Sequence, residues 1–415
     1  MFQEDGSLLY ILPLAVLVAA FIIVGYAMVR QMRSWKRNVT EVLTPASIAK
    51  SPADTLLSER YVKNGYHVLQ DEGTKKHYIM SRQVNRILYE DRWHRYLSFD
   101  GTFFLPEQCV RIAPYYLDKA YREKKSRGTQ LYLSNLIGLF HDVTAAEEDG
   151  QIRVMKTNYF DFRLTNETVN KVYLPVIHSE GGPIEGHRLL YDENGTLRDY
   201  SDTLCADVLG GSTLAVTNDG YVIMQMQSGQ ADRNPGTIVP SGSGSTDYSD
   251  FIKLQTRMNA SPFRKAERPT FQQLIIDTIH RELCEENGLD GNGRVAGGKG
   301  MRTRVIGFAR LLDRGAKPDF FGVTYIDAKA AELYPQMNES LGKVVHVLHP
   351  TKKTDQEISR HILIPYEGNG SITAAVRNTI KNVLRPLDCC NSSFQTGMLL
   401  DLIDRYYAEG IDLFD

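Results

Sequence analysis

The chain has 415 residues, 42% hydrophobic and 24% charged, with a formal net charge of -2. Such a length asks for about two globular units, the apolar share excludes wholesale disorder, and the balanced charge excludes a strongly basic nucleic-acid binder. Cys109, Cys205, Cys284, Cys389 and Cys390 show no C-x-x-C spacing, which argues against a zinc site or a disulfide framework and fits free thiols in a reducing compartment.

After a short acidic leader (residues 1–7), the run from Leu8 to Val29 carries no charge. As a helix it would reach roughly 33 Å, enough to cross a lipid bilayer. The acidic leader and the bulky Tyr26, Met28 and Val29 at its end do not suit a cleaved signal peptide. Arg30, Arg33, Lys36 and Arg37 follow directly, so the positive-inside rule predicts a single-pass transmembrane helix with the N-terminus outside and the rest cytoplasmic. Residues 30–60, broken by Pro45 and Pro52, read as a juxtamembrane linker.

Residues 61–204 mix alternating apolar runs, at Tyr66 to Leu69 and Lys76 to Met80, with helical patterns at Val84 to Leu97 and Ala113 to Lys124. An α+β accessory region is expected there. Its aromatic residues, among them Tyr115, Tyr116, Tyr159 and Phe162, have no basic stripe beside them, so packing accounts for them better than base stacking.

A sharper pattern begins near 205. Ser212 to Thr217 and Tyr221 to Gln227 flank Asn218-Asp-Gly220, the chemistry of a hairpin turn. Ser241, Gly242, Ser243, Gly244 and Ser245 then form a loop small enough for its backbone amides to approach a phosphate or a neighbouring helix. Thr270 and Gln273 make a capping box for a helix over 271–287, whose stripe of Leu274, Ile275, Thr278, Ile279 and Leu283 faces a core.

That helix ends in Arg281, Glu282, Glu285 and Glu286. Spacings of three and four put the three carboxylates on one face, where they repel one another, at the helix end that disfavours negative charge. A solvated acidic face with Arg281 as partner is one reading. The other is a hard divalent cation with oxygen ligands, magnesium or manganese.

Arg281-Glu-Leu-Cys-Glu-Glu-Asn-Gly-Leu289 resembles the second half of the Nudix box, G-x5-E-x7-R-E-U-x-E-E-x-G-U, and the chain is similar to that hydrolase family from about Cys205 to Leu384. The resemblance implies an α/β fold, an α/β/α sandwich with a mixed sheet over 205–385, followed by a helical segment over 386–415. It implies that Glu282, Glu285 and Glu286 bind magnesium and act in catalysis, that Arg281 holds the box by an internal ion pair, and that Gly288 closes the helix. The implied reaction is metal-dependent hydrolysis of a pyrophosphate bond in a nucleoside-diphosphate-like small molecule at the cytoplasmic face. Ser241, Gly242, Ser243 and Gly244 are the expected phosphate loop.

The front half of the box departs: Gln273 stands where the family has Glu, and Glu267 where it has Gly. The glycine role is expected at Gly242 or Gly244, with about 246–268 inserted before the helix. Downstream, Thr303 to Leu312 and Phe320 to Ile326 read as strands, and Asp319, Glu332 and Glu339 are candidates for an additional acid or base. A tethered nucleotide sensor that no longer cuts, and an interaction module docking through its acidic helix, are the competing functions.

Overall fold

The computed structural model describes residues 26–28, 39–42, 51–90, 95–127, 134–143, 150–175, 182–229, 231, 234–259, 268–287, 289, 300–350, 358–366, 371–384 and 391–413. Most of the expected membrane run, together with Glu267, Gly288, Cys389, Cys390 and the side chain of Glu339, lies outside them. Among the described residues no helix is long and apolar enough to cross a membrane.

In chain order the strands are β1 (Val39–Val42), β2 (Tyr66–Gln70), β3 (His77–Ser81), β4 (Tyr96–Thr102), β5 (Asn135–Leu139), β6 (Gln151–Asn158), β7 (Val172–Pro175) and β8 (Ile184–Glu185). There follow β9 (Gly210–Thr217), β10 (Tyr221–Gln227), β11 (Ile238–Val239), β12 (Gly242–Ser245), β13 (Met301–Leu311), β14 (Lys317–Ile326), β15 (His346–Leu348) and β16 (Ile358–Pro365). A ten-stranded sheet runs β15-β16-β10-β9-β14-β13-β3-β2, with β11 beside β10 and β12 beside β9. β9 and β14 are parallel while their other neighbours are antiparallel, so the class is α/β with a mixed sheet.

β9 is buried along its whole length and β14 nearly so, as expected of central strands covered on both faces. Alternation along β14 shows the two faces. Phe320 belongs to a core with Leu274, Ile275 and Ile279 of the helix Phe271–Asn287, and Phe321 to another with Met398, Leu402 and Ile403 of the helix Phe394–Ala408. Each such side chain contributes roughly 2 kcal/mol of apolar burial. Helices therefore cover both faces of the sheet.

The glutamate helix spans Phe271–Asn287, the interval its capping pattern predicts. The Thr270 N–H donates to Gln273 Oε1 at 3.0 Å, and the Gln273 N–H donates to Thr270 Oγ1 at 3.3 Å. The turn after β9 holds Gly220 at φ 82°, where a side chain would be strained. Inside the expected insertion lies a helix, Tyr248–Asn259.

Four elements differ from the sequence reading. The helix expected over Val84 to Leu97 spans Arg82–Tyr89, and Tyr96 and Leu97 belong to β4, held by pairing with β6. Gly242 to Ser245 is a strand rather than a loop, because it pairs along β9 from Thr213 to Gly210. β14 starts at Lys317, three residues early, since its pairing with β13 continues through Pro318 opposite Arg310. The helix expected from Ala113 runs Glu107–Arg127 and accommodates Pro114.

Strands also cross position 205. β3 pairs with β13 at Arg310 and Leu311, and one apolar core joins Tyr61, Leu139, Phe271 and Phe320. β4, β6 and β5 form a separate sheet whose edge extends the structure, the Ile137 N–H donating to Thr246 O and the Leu209 N–H to Ile137 O, both at 2.9 Å.

Candidate functional site

The end of the glutamate helix stands against β12, and the glycines of β12 make that approach possible. A Cβ on Gly242 would come 2.7 Å from the Leu283 backbone, and one on Gly244 would overlap the Glu282 carboxylate. Ser241, before the strand, is fully buried: its hydroxyl donates to Ile223 O at 2.5 Å and accepts from the Ala215 N–H at 2.6 Å. Asn287 ties the helix end down, donating through Nδ2 to Ser241 O at 2.7 Å and accepting from the Tyr334 hydroxyl at 2.6 Å.

Beyond this junction opens a polar cavity of about 450 Å³, within the range of small-molecule sites. Glu282, Glu285 and Glu286 line it with Ser243 and Gly244, whereas Ser241 and Gly242 do not reach it. Asp319, a candidate from the sequence, is on its wall; Glu332 is not, and instead caps the short helix Ala330–Leu333 by accepting from the Lys329 N–H at 2.9 Å. Residues the sequence did not single out complete the lining, notably Lys317, Arg314, Lys253 and Gln395, together with Tyr159, which the sequence reading assigned to packing.

Arg281 organises the acidic wall. Its Nε donates to both Asp250 carboxylate oxygens at 3.1 and 3.0 Å, its Nη2 to Ser245 O at 2.7 Å, and its Nη1 lies 2.9 Å from both Glu282 and Glu285. Arg281 is thus ion-paired with Glu282 and Glu285 of its own helix and with Asp250 of the neighbouring one. Burial alone would lower the pKa of this arginine, but Glu282, Asp250 and Glu285 together hold it above its ordinary value. Burial pushes Glu282 up to about 7, opposed by Arg281 and reinforced by Glu285. Glu286 is buried and accepts from the Ser243 N–H at 3.0 Å, while Glu285 is 57% exposed.

On the sheet side, Lys317 pairs with Asp319, both buried, in space that Gly210 leaves: a Cβ there would overlap both side chains. Burial lowers the Lys317 pKa, Asp319 opposes the shift and Arg314 adds to it. No regular spacing marks this pair in sequence; the only signal is two charges flanking Pro318 ahead of an apolar strand.

The donor set suits a hard divalent cation, since the side chains on the acidic wall offer only carboxylate oxygens. Among the described residues no three potential ligands converge on one point, and Arg281 lies between Glu282 and Glu285. Ligation by all three glutamates therefore requires that guanidinium to yield at least one of them.

No family model matches the sequence, and no curated protein matches it. Among solved structures, the crystal structure of DR0079 from Deinococcus radiodurans is similar at 12% identity, covering 52% of this chain and 97% of that one, with a TM-score of 0.25. A likeness that slight carries no argument.

Proposed function

We propose that the protein is a Nudix-like hydrolase that cuts the pyrophosphate bond of a nucleoside-diphosphate-like substrate with magnesium or manganese. One observation carries this reading: Glu282, Glu285, Glu286 and Asp319, which come from two separate stretches of chain, line one polar cavity of about 450 Å³. Glu282, Glu285 and Glu286 would hold the cation, which when bound neutralises diphosphate charge and acidifies water. Glu285, the most exposed of the three, orients or deprotonates the attacking water. The Ser243 N–H keeps Glu286 aimed, and the Arg281 guanidinium fixes the acidic wall against the Asp250 helix. On this reading the apolar run 8–29 tethers the domain to the cytoplasmic face of a bilayer, an expectation that rests on the sequence.

Glu286→Gln is nearly isosteric and can still accept from Ser243. Loss of magnesium-dependent turnover of ADP-ribose, dinucleotide or nucleotide-sugar substrates, with an unchanged circular dichroism spectrum, is the expected result. Equal turnover in this variant rejects the hydrolytic role. A second reading has support in Gln273, whose amide oxygen caps the helix, and in Arg281, which occupies two of the carboxylates. On it the cavity binds nucleotide without cutting. Calorimetric binding with magnesium and no product would select that sensor.

A further inference from the structure

We propose that Arg314 is an anion subsite of the cavity, there to take a phosphoryl group of the ligand. This rests on the cavity being a nucleotide site, as above, but not on hydrolysis.

The other cations of the wall are engaged or remote from the interior. Arg281 is bound by Asp250, Glu282, Glu285 and Ser245 O, Lys317 is held by Asp319, and Lys253 is exposed on its helix. Arg314 differs. Among the described residues its guanidinium has no hydrogen-bond or ion-pair partner, and its Nε is buried and unsatisfied. A buried donor left unpaired is costly, and in a native site such a group calls for a partner. The planar guanidinium fork matches phosphate oxygens in pairs, which a lysine ammonium does not.

The side chain is also positioned rather than loose. Arg314 ends the 3-10 turn Leu312–Arg314 between β13 and β14, and Gly315 follows with φ 61°. Asn166 clamps that turn, donating through Nδ2 to Gly315 O at 2.8 Å, and a Cβ on Gly315 would overlap the Asn166 carbonyl. Asn166 is itself oriented by Asp207, donating to its Oδ1 at 2.9 Å and accepting from its N–H at 3.1 Å. The Tyr200 hydroxyl donates to Ala316 O at 3.3 Å, and the guanidinium lies over the Phe162 ring at 5.5 Å. Asn166, Phe162 and Tyr200 all precede residue 205, so the accessory segment aims a cation from the main sheet into the cavity. The lowered pKa of Lys317, to which Arg314 contributes, agrees with two positive groups close together on this wall. Added anionic charge would relieve that repulsion.

The test is calorimetric titration of the full chain with inorganic pyrophosphate in EDTA, comparing wild type with Arg314→Ala, Arg314→Lys and Glu286→Gln. Loss of one charge-assisted, paired contact should weaken binding about tenfold in Arg314→Ala. Arg314→Lys should recover part of that loss, and Glu286→Gln should bind at least as well as wild type. Thermal unfolding without ligand should change little in Arg314→Ala, since among the described residues the guanidinium loses no hydrogen bond or ion pair, only its contact with the Phe162 ring. Equal binding by Arg314→Ala and wild type, or no binding by wild type in the millimolar range, overturns the proposal. Arg314-dependent binding in a protein with no magnesium-dependent turnover supports this subsite while removing the hydrolytic reading alone.

Discussion

Arg281 and Arg310 both carry charge into the interior, in surroundings of opposite kind. Arg281 faces the carboxylates of Asp250, Glu282 and Glu285 and opens onto the cavity. Arg310 is fully buried on β13, its guanidinium 3.9 Å from the Tyr200 ring centroid, donating to the Tyr61 hydroxyl and, at 2.9 Å, to Arg198 O. Tyr61 passes the contact on by donating to Asp142, also buried. The closed cluster is shielded by rings and answered in part by groups of the chain itself, through Nη1 alone, since Arg310 Nε and Nη2 are buried without a hydrogen-bond partner among the described residues. The open one holds more carboxylates than its arginine pairs with, and on the proposed reading a bound cation answers the remainder.

The comparison breaks most visibly if Arg310 can be removed cheaply. Arg310→Ala leaves a buried hydroxyl, a backbone carbonyl and nearby acids without their cation, so chemical denaturation should show a loss of about 3–5 kcal/mol. A loss below about 1 kcal/mol, the size of a surface pair, would mean the cluster is not the structural counterpart described.

Asp207 should reveal the closed cluster through pH. Burial raises its pKa to about 6, against the opposing pull of Arg310 and its hydrogen bonds from Thr203 and Asn166. Because the raised value favours the protonated form in the fold, that contribution is complete below about pH 4 and disappears as pH rises through about 6. Unfolding free energies of wild type minus Asp207→Asn should therefore fall by on the order of 2 kcal/mol between those limits. A flat difference would contradict the assignment.

At the open cluster two glycines separate packing from chemistry. Gly242→Ala drives a methyl against the Leu283 backbone, which cannot swing away, and should cost about 2 kcal/mol of stability. Gly244→Ala meets only the end of the Glu282 side chain, so its melting temperature should change less while its manganese affinity changes more. The reverse order would place the glutamates outside the site. The smallest effect expected is that of Thr270→Ala, about 1 kcal/mol from the lost cap at the far end of the helix, with turnover per folded molecule unchanged.

Local signals made much of this legible. The capping pair Thr270 and Gln273 fixed the start of the glutamate helix, and Asn218-Asp-Gly220 its preceding hairpin, because both depend on neighbours in sequence. The acidic wall was legible for the same reason. What stayed hidden depends on pairing at a distance: Asp250 meets Arg281 across 31 positions and Tyr61 meets Arg310 across 249. The serine-glycine run looked like a loop because its role as β12 is decided by β9, and the basic wall of Arg314 and Lys317 has no periodic pattern to announce it.

The most direct test of the central claim is a manganese titration of the full chain followed by electron paramagnetic resonance, wild type against the triple variant Glu282→Gln, Glu285→Gln, Glu286→Gln. The account predicts a bound ion in wild type, tightened by a nucleoside diphosphate and lost in the variant. Identical titrations for the two proteins, or an ion bound equally well without those carboxylates, would contradict it.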